Sequence, residues 1–322
     1  KPKVHEPVLL TEVVRALGLP APLNEKSPKF IDATLGLGGH AVEIVKNGGR
    51  VLGIDMDPEA LEEALEKLRK VLLHPAEADF GGSETCPTPE EARLPFRESF
   101  KLVQGNFKDI DKIARGCGFD GADGILFDLG VSSYQLTSRS RGLSFGNEKA
   151  PLDMRLSPST EGVSASDLLN GLSRKELVHL FSVVMRKKDA ITLSKSIESY
   201  RKNFKIEKVG DFLRIVKKVI LPKKGLHVGT LPFLALRIAV NSEIDNLKEA
   251  LPKAFELLGS KGRLVVVSFH SKEAEVVENF FRGKVSGGVG RLVYERPIVP
   301  NLREILKNPR SRSSKMWALE RV

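Results

Sequence analysis

Short apolar runs bounded by glycine and acidic residues recur along the first part of the chain and once more near its end. Lys29 to Thr34, Arg50 to Ile54, Phe100 to Gln104, Gly124 to Leu129 and Gly262 to Phe269 read as buried strands. Between them the apolar spacing becomes helical. Pro58-Glu-Ala-Leu-Glu-Glu-Ala-Leu-Glu-Lys-Leu puts leucines 61, 65 and 68 on one face, and Pro58 is pre-set for a first helical turn. Strands that alternate with helices predict an α/β fold, with a mostly parallel sheet covered by helices on both faces.

Two segments interrupt this rhythm. Residues 74–98 are rich in proline, glycine and scattered acids and have little apolar periodicity, so they read as a mobile surface insertion. From about Ser133 to Lys224 the pattern is purely helical, with helices expected over Ala165 to Leu172, Arg174 to Met185, Ala190 to Tyr200 and Val209 to Ile220. The simplest organisation is one discontinuous α/β domain, residues 1–133 and 225–322, interrupted by an all-helical domain over residues 134–224 that serves substrate recognition.

Composition narrows the function classes. The chain has 322 residues, 41% of them hydrophobic, enough to bury a core. No apolar run approaches the ~18 residues needed to cross a bilayer. The opening Lys1-Pro-Lys-Val-His5 carries no apolar stretch, so no secretory signal is expected and the predicted location is cytoplasmic. Two cysteines, Cys86 and Cys117, make neither a disulfide framework nor a zinc cluster, and the six histidines show no ligand spacing, so no metal is expected. The formal net charge of +10 points to a polyanionic partner, with nucleic acid leading. Much of it lies in the helical segment, at Arg201, Lys202, Lys205, Lys208, Arg214, Lys217, Lys218, Lys223 and Lys224, only partly balanced by Glu207 and Asp211.

The candidate chemistry lies at strand ends. The first strand runs into Asp32-Ala-Thr-Leu-Gly36-Leu-Gly38-Gly39-His40, and a helix follows. Glycines there let backbone approach a ligand, and the helix start offers free N–H groups. Asp55, at the end of the second strand, follows Gly36 at roughly the 20-residue spacing of a carboxylate that grips ribose hydroxyls. The loop is G-x-G-G and lacks the third glycine of a dinucleotide site. Asp32 would repel a pyrophosphate but suits a cofactor with a positive centre and an amino group, such as S-adenosyl-L-methionine. The fourth strand ends Phe127-Asp128-Leu-Gly-Val-Ser132-Ser-Tyr-Gln135, which puts Asp128 at the cofactor's edge and Ser132 on the loop above it.

Taken in order, these motifs resemble the bacterial 16S rRNA (cytosine-N4) methyltransferase family, RsmH or MraW. The likeness covers most of the chain: His5-Glu-Pro-Val-Leu-Leu, the Asp32–His40 loop, Gly53-Ile-Asp-Met-Asp-Pro58, Asp128-Leu-Gly-Val-Ser-Ser with Gln135, Arg141-Gly-Leu-Ser-Phe145, Pro151-Leu-Asp-Met-Arg155, Ala235-Leu-Arg-Ile-Ala-Val-Asn241-Ser-Glu243, Ser268-Phe-His-Ser271 and Asn308-Pro-Arg-Ser-Arg-Ser-Ser314. The resemblance implies a Rossmann-like S-adenosylmethionine-dependent methyltransferase fold with an inserted helical domain. It implies N4-methylation of a cytidine in 16S rRNA, at the decoding centre, within a small ribosomal subunit or its precursor. S-adenosyl-L-homocysteine would be the product. By the same resemblance the cofactor is held at Gly38, Gly39, His40, Asp55, Phe107, Asp128 and Gln135.

Three departures stand out. An acidic Gly-Glu-Glu run usual in the family is replaced by the basic Val183-Val-Met-Arg-Lys-Lys-Asp-Ala190. A usual arginine is absent at Leu231, and a usual Leu-Glu-Asp becomes Lys272-Glu-Ala274.

The exocyclic nitrogen of cytosine is a poor nucleophile, because its lone pair is delocalised into the ring. Acceptors for its N–H groups would pyramidalise it, and Asp128 and Ser132 are the candidates for this catalytic role. Methylation at carbon 5 would need a cysteine nucleophile, and neither Cys86 nor Cys117 lies at the site edge of the sheet. The residues expected to contact RNA are Lys217, Lys218, Lys223, Lys224, His270, Arg310 and Arg312. Two other classes stay open: a non-catalytic RNA-binding ribosome-assembly factor that keeps the fold, and a methyltransferase acting on DNA or protein. The sequence also leaves open a homodimer.

Overall fold

The computed structural model describes residues 7–20, 27–73, 99–130, 141–157, 162–222 and 225–322. The predicted insertion at 74–98 lies outside the described residues. The chain divides into two compact units, Lys1–Gly130 with Asn246–Val322, and Val131–Asp245.

The first unit is built on a seven-stranded sheet. Its strands are β1 (Lys29–Asp32), β2 (Arg50–Asp55), β3 (Phe100–Gln104), β4 (Ala122–Asp128), β5 (Leu258–Ser268), β6 (Gly290–Leu292) and β7 (Lys315–Arg321), in the order β3-β2-β1-β4-β5-β7-β6. The first five are parallel, and β7 runs antiparallel to both β5 and β6. This is a doubly wound, Rossmann-like sheet whose connections leave β1 in opposite directions, so the carboxyl ends of β1 and β4 form its topological switch point.

The alternation along each strand explains why both faces are covered. Ile31, Leu52, Ile54, Ile125, Phe127, Leu264 and Val266 point to one face. There they meet residues of the helices α4 (Ile110–Cys117), α10 (Glu243–Leu257) and α11 (Ser271–Ser286). Phe30, Val51, Leu126, Val265 and Val267 point to the other face, against α1 (Leu10–Ala16), α2 (Gly39–Lys46) and α3 (Pro58–Leu73). In α3 the buried line is Ala60, Ala64 and Leu68, with Leu61 and Leu65 only half-buried at its edge. The small alanines let α3 come close to the glycine loop.

The second unit, among its described residues, has five helices: α5 (Ala165–Gly171), α6 (Arg174–Ser182), α7 (Lys187–Arg201), α8 (Val209–Val219) and α9 (Thr230–Asn241). Capping boxes start two of them. Ser164 pairs with Asp167 ahead of α5, and Ser173 with Glu176 ahead of α6. The core gathers Leu169, Leu177, Phe181, Leu193, Ile197, Phe212, Val216 and Phe233. The end of this unit differs from the sequence expectation of residue 224. The helix α9 turns Phe233, Ala235 and Leu236 into the helical core, so its apolar face binds it to this unit rather than to the sheet. Asn241 reinforces that assignment by accepting from the Leu156 N–H at 2.9 Å and donating to the Met154 carbonyl at 2.9 Å. Among the described residues no helix is long and apolar enough to cross a membrane.

Candidate functional site

The first unit brings four sequence-predicted acidic and imidazole groups to one edge. The register pairs Asp32 with Gly53 and Leu126, and β2 and β4 end a short way beyond, at Asp55 and Asp128. After β1 the chain turns through a loop fixed by backbone bonds. Ala33 N–H donates to the Leu126 carbonyl, Leu35 N–H to the Ile54 carbonyl, both at 2.9 Å, and Gly38 N–H to the Leu35 carbonyl at 2.8 Å. The glycines of this loop are needed for packing. Gly38 sits at φ 73°, and a Cβ there would lie 3.0 Å from the Ala64 Cβ of α3. A Cβ on Gly39 would lie 2.3 Å from Pro7 Cγ. Both positions allow close backbone contact that any side chain would obstruct.

Side chains then tie the three strand ends together. Asp55 accepts from the Gly36 N–H at 2.8 Å on one oxygen and from the Asp57 N–H at 2.9 Å on the other. Each carboxylate oxygen keeps a further lone pair, so Asp55 is oriented while still able to accept hydroxyl groups. Asp32 accepts from the Thr34 N–H at 3.3 Å, and the Thr34 hydroxyl accepts from the Asp128 N–H at 2.6 Å. Thr34 therefore links the ends of β1 and β4, a role the sequence reading did not assign, although Thr34 stands inside the quoted loop motif. His40, on the first turn of α2, places Nε2 3.3 Å from Asp128 Oδ2. The pair lacks the direction of a true hydrogen bond, and it acts as an ion pair when the imidazole is protonated.

Burial dominates the electrostatics. Asp32 is 1% exposed, and desolvation pushes its carboxyl from the usual 3.8 up to about 7 against the pull of His40, with Asp128 adding to the rise. Burial likewise pushes Asp55 up to about 6, against its backbone N–H donors. Burial disfavours the imidazolium of His40, but the neighbouring Asp128 and Asp32 outweigh it and hold His40 above its ordinary value. Among the described residues Asp128 Oδ1 and His40 Nδ1 are buried without a hydrogen-bond partner. Polar atoms left in this way at a strand end ask for a polar or charged ligand.

The remaining predicted residues fall in several places. Phe107 begins a short helical turn after β3, half-buried, with its ring edge-to-face on Phe127 at 5.7 Å between centroids. His270 lies at the carboxyl end of β5, where the ring is 9% exposed and caps α11. Its Nδ1 accepts from the Glu273 N–H at 3.4 Å, and Glu273 accepts from the Phe269 N–H at 2.7 Å. The histidine is thus engaged as a helix cap, and Glu273 is retained within the departing Lys272-Glu-Ala274 segment. Arg310 and Arg312 are exposed on the turn Pro309–Ser313. In the second unit Lys217 and Lys218 are exposed at the end of α8, with Lys217 3.1 Å from Glu148. Ser132, Gln135, Lys223 and Lys224 lie outside the described residues.

Comparison with known proteins adds a family. The profile described as the MraW methylase family matches residues 3–77 and 86–322. A protein of Methylacidiphilum infernorum named Ribosomal RNA small subunit methyltransferase H is 35% identical, over 97% of this chain and 92% of its own. Proteins of the same name from Dictyoglomus thermophilum and Deinococcus radiodurans are 35% and 37% identical, each over 99% of this chain and over 97% and 90% of their own.

The raised carboxyls carry a stability signature. A folded acid whose pKa lies above its unfolded value contributes stability that is complete below the unfolded value and lost as pH rises through the folded one. His40, also raised, has the same sign. The cofactor-free protein is therefore expected to lose thermal stability between about pH 4 and about pH 7, and Asp32→Asn to flatten that fall. A wild-type melting temperature that is constant or rises over this range would contradict the assignment.

Proposed function

The chain belongs to the MraW methylase family, and from that premise we propose that it methylates N4 of a cytidine in 16S rRNA, at the decoding centre, using S-adenosyl-L-methionine. The observation that carries the reading is the acidic edge at the carboxyl ends of β1, β2 and β4, where Asp32 is buried and Asp55 and Asp128 are half-buried. The relatives' names support the rRNA substrate, and the chemistry of this edge supports the cofactor.

The residues present fit that cofactor. Asp32 and Asp128 suit a cationic ligand: one is a desolvated carboxyl pushed up to about 7, and the other has a buried oxygen without a partner among the described residues. A cation entering there would favour the ionised carboxylates. Asp55 presents oriented lone pairs for ribose hydroxyls. Phe107, partly exposed beyond β3, offers a ring edge or face suited to a purine. Gly38, Gly39 and His40 form the turn into α2, and Gln135 is assigned to the same cofactor by family resemblance.

When bound, the cofactor supplies an electrophilic methyl carbon for an in-line displacement. The protein's task is then to hold the cytosine nitrogen on that axis. Asp128 is our candidate for accepting an N4–H, which gives the nitrogen lone-pair character and takes up its proton. The Thr34 hydroxyl fixes the Asp128 backbone, and His40 sits against one carboxylate oxygen, so the other is the free acceptor. Ser132 is proposed as a second acceptor.

RNA is proposed to be held by Lys217, Lys218, Lys223, Lys224, Arg310 and Arg312. The buried cap of His270 makes it the least suited of the predicted contacts. The substrate form proposed is the small ribosomal subunit or its precursor, and the location cytoplasmic.

Mass spectrometry of rRNA nucleosides from a strain lacking this gene should show loss of N4-methylated cytidine, restored by the wild-type gene. Unchanged N4-methylcytidine would refute the reaction. In the purified enzyme, Asp128→Asn should lower kcat by roughly 100-fold or more at saturating cofactor, the range typical of a positioned proton acceptor. Wild-type turnover in that variant would remove the carboxylate from the chemistry.

A further inference from the structure

The second unit exposes one aromatic ring among its cations. Phe204 follows the end of α7 and is 64% exposed, whereas every other described phenylalanine, tyrosine and tryptophan is at least half covered. A single exposed apolar residue is ordinary on a protein surface. Three features of its surroundings are not.

The first is a second ring. Tyr200, one turn earlier, is half-buried, with its centroid 5.7 Å from that of Phe204 and the planes tilted by 45°. Phe204 rests on it and leaves its outer surface to solvent.

The second is rigidity. The Phe204 N–H donates to the Tyr200 carbonyl at 3.2 Å, which closes the helix end. Two residues later Ile206 is fully buried and clamped by side chains. Its carbonyl accepts from Ser166 Oγ at 2.7 Å and Asn170 Nδ2 at 3.0 Å, and its N–H donates to Asn170 Oδ1 at 3.2 Å. The segment is pinned on both sides of Phe204, so the ring is presented by an anchored loop.

The third is charge. Lys195, Arg201, Lys202, Lys205 and Lys208 lie within this stretch, against only Glu198 and Glu207. Glu198 is engaged with Arg174 at 3.6 Å, and Arg201 donates to the Leu169 carbonyl at 2.8 Å. Lys202, Lys205 and Lys208 are exposed, and none is ion-paired among the described residues.

We propose that Phe204, backed by Tyr200, is a stacking platform for an unpaired base of the RNA substrate, with Lys202, Lys205 and Lys208 holding the phosphates on either side. The inference rests on the RNA reading above and adds a single-stranded element to it. An exposed π-face amid cations is what a single-stranded chain requires, since any base can stack there while its backbone follows the positive charge. A paired helix keeps its bases stacked inside and offers none to the ring. Fixing the platform in advance lowers the ordering needed on binding.

The test uses the full chain, a single-stranded oligoribonucleotide of about 12 residues and the same sequence as a duplex. Phe204→Ala should weaken single-strand binding about tenfold without changing its salt dependence, and leave duplex binding as in the wild type. Phe204→Trp should restore affinity, and its emission should be quenched on adding the single strand. Lys202→Gln with Lys205→Gln should instead reduce the slope of log affinity against log salt by about 1.4. Melting temperatures check that the variants fold, which the exposure of the ring favours.

Unchanged single-strand affinity in Phe204→Ala, in a wild-type enzyme that binds and methylates small-subunit RNA, would overturn the platform and leave the proposed reaction standing. Loss of self-association with RNA affinity intact would likewise overturn it, and would assign the ring to a protein contact. A wild-type chain with no affinity for RNA would overturn both readings.

Discussion

A carboxyl group that must be buried at the end of a central strand is the constraint on which the rest of this site depends. Asp32 closes β1, and β1 lies between β2 and β4 with apolar helices against both faces. Water does not reach it, so its ionised form lacks solvation and its pKa is pushed up to about 7. His40 and the Thr34 N–H offset that loss in part, while Asp128 and Asp55 add to it. Thr34 donates to it and fixes Asp128, and His40 lies within electrostatic reach of both acids. A protein has little reason to keep such a cluster for stability, since an apolar residue would pack there at no such cost. The arrangement is intelligible if a positively charged ligand completes it.

The same logic separates the two kinds of charge in the chain. The overall excess is positive, at +10, yet the strand-end edge of Asp32, Asp55 and Asp128 is acidic. Cations lie on the outside, at exposed Lys202, Lys205, Lys208, Lys217, Lys218, Arg310 and Arg312. In the proposed reaction these oppose a polyanion, while the buried acids meet a small cation. Neither set could take the other's place. Exposed lysines act at long range through solvent and are screened by salt. Buried and half-buried carboxylates act at contact and are screened far less.

The sequence made much of this visible, and where it did not the reasons are physical. Strands β1, β2 and β4 and the second half of β5 were legible because they are buried on both faces and read as near-continuous apolar runs. The edge strand β3 was legible from its short apolar run Phe100-Lys-Leu-Val103. The last two strands were missed: β6 is only three residues long, and β7 carries Lys315, Glu320 and Arg321 on a strand that runs antiparallel. Four helices of the second unit were found within a few residues, because their caps and periodicity are local. The helix α9 falls in the other unit from the one expected, because a largely apolar helix does not say which core it enters. At the site, Asp55 and Asp128 could be singled out from spacing and strand ends. The linking role of Thr34 and the capping by His270 depend on distances between strands and on side-chain direction, which no spacing along the chain encodes.

The central claim is that the buried acids are matched to a cationic cofactor, and proton linkage tests it directly. Calorimetric titration of the full chain with S-adenosyl-L-methionine at about pH 6.5, in two buffers of different ionisation enthalpy, reads the protons exchanged on binding. Because Asp32 holds much of its proton there before binding, the account predicts proton release, an apparent enthalpy that differs between the buffers, and both effects reduced in Asp32→Asn. Equal enthalpies in the two buffers, with an affinity indifferent to pH, would contradict it.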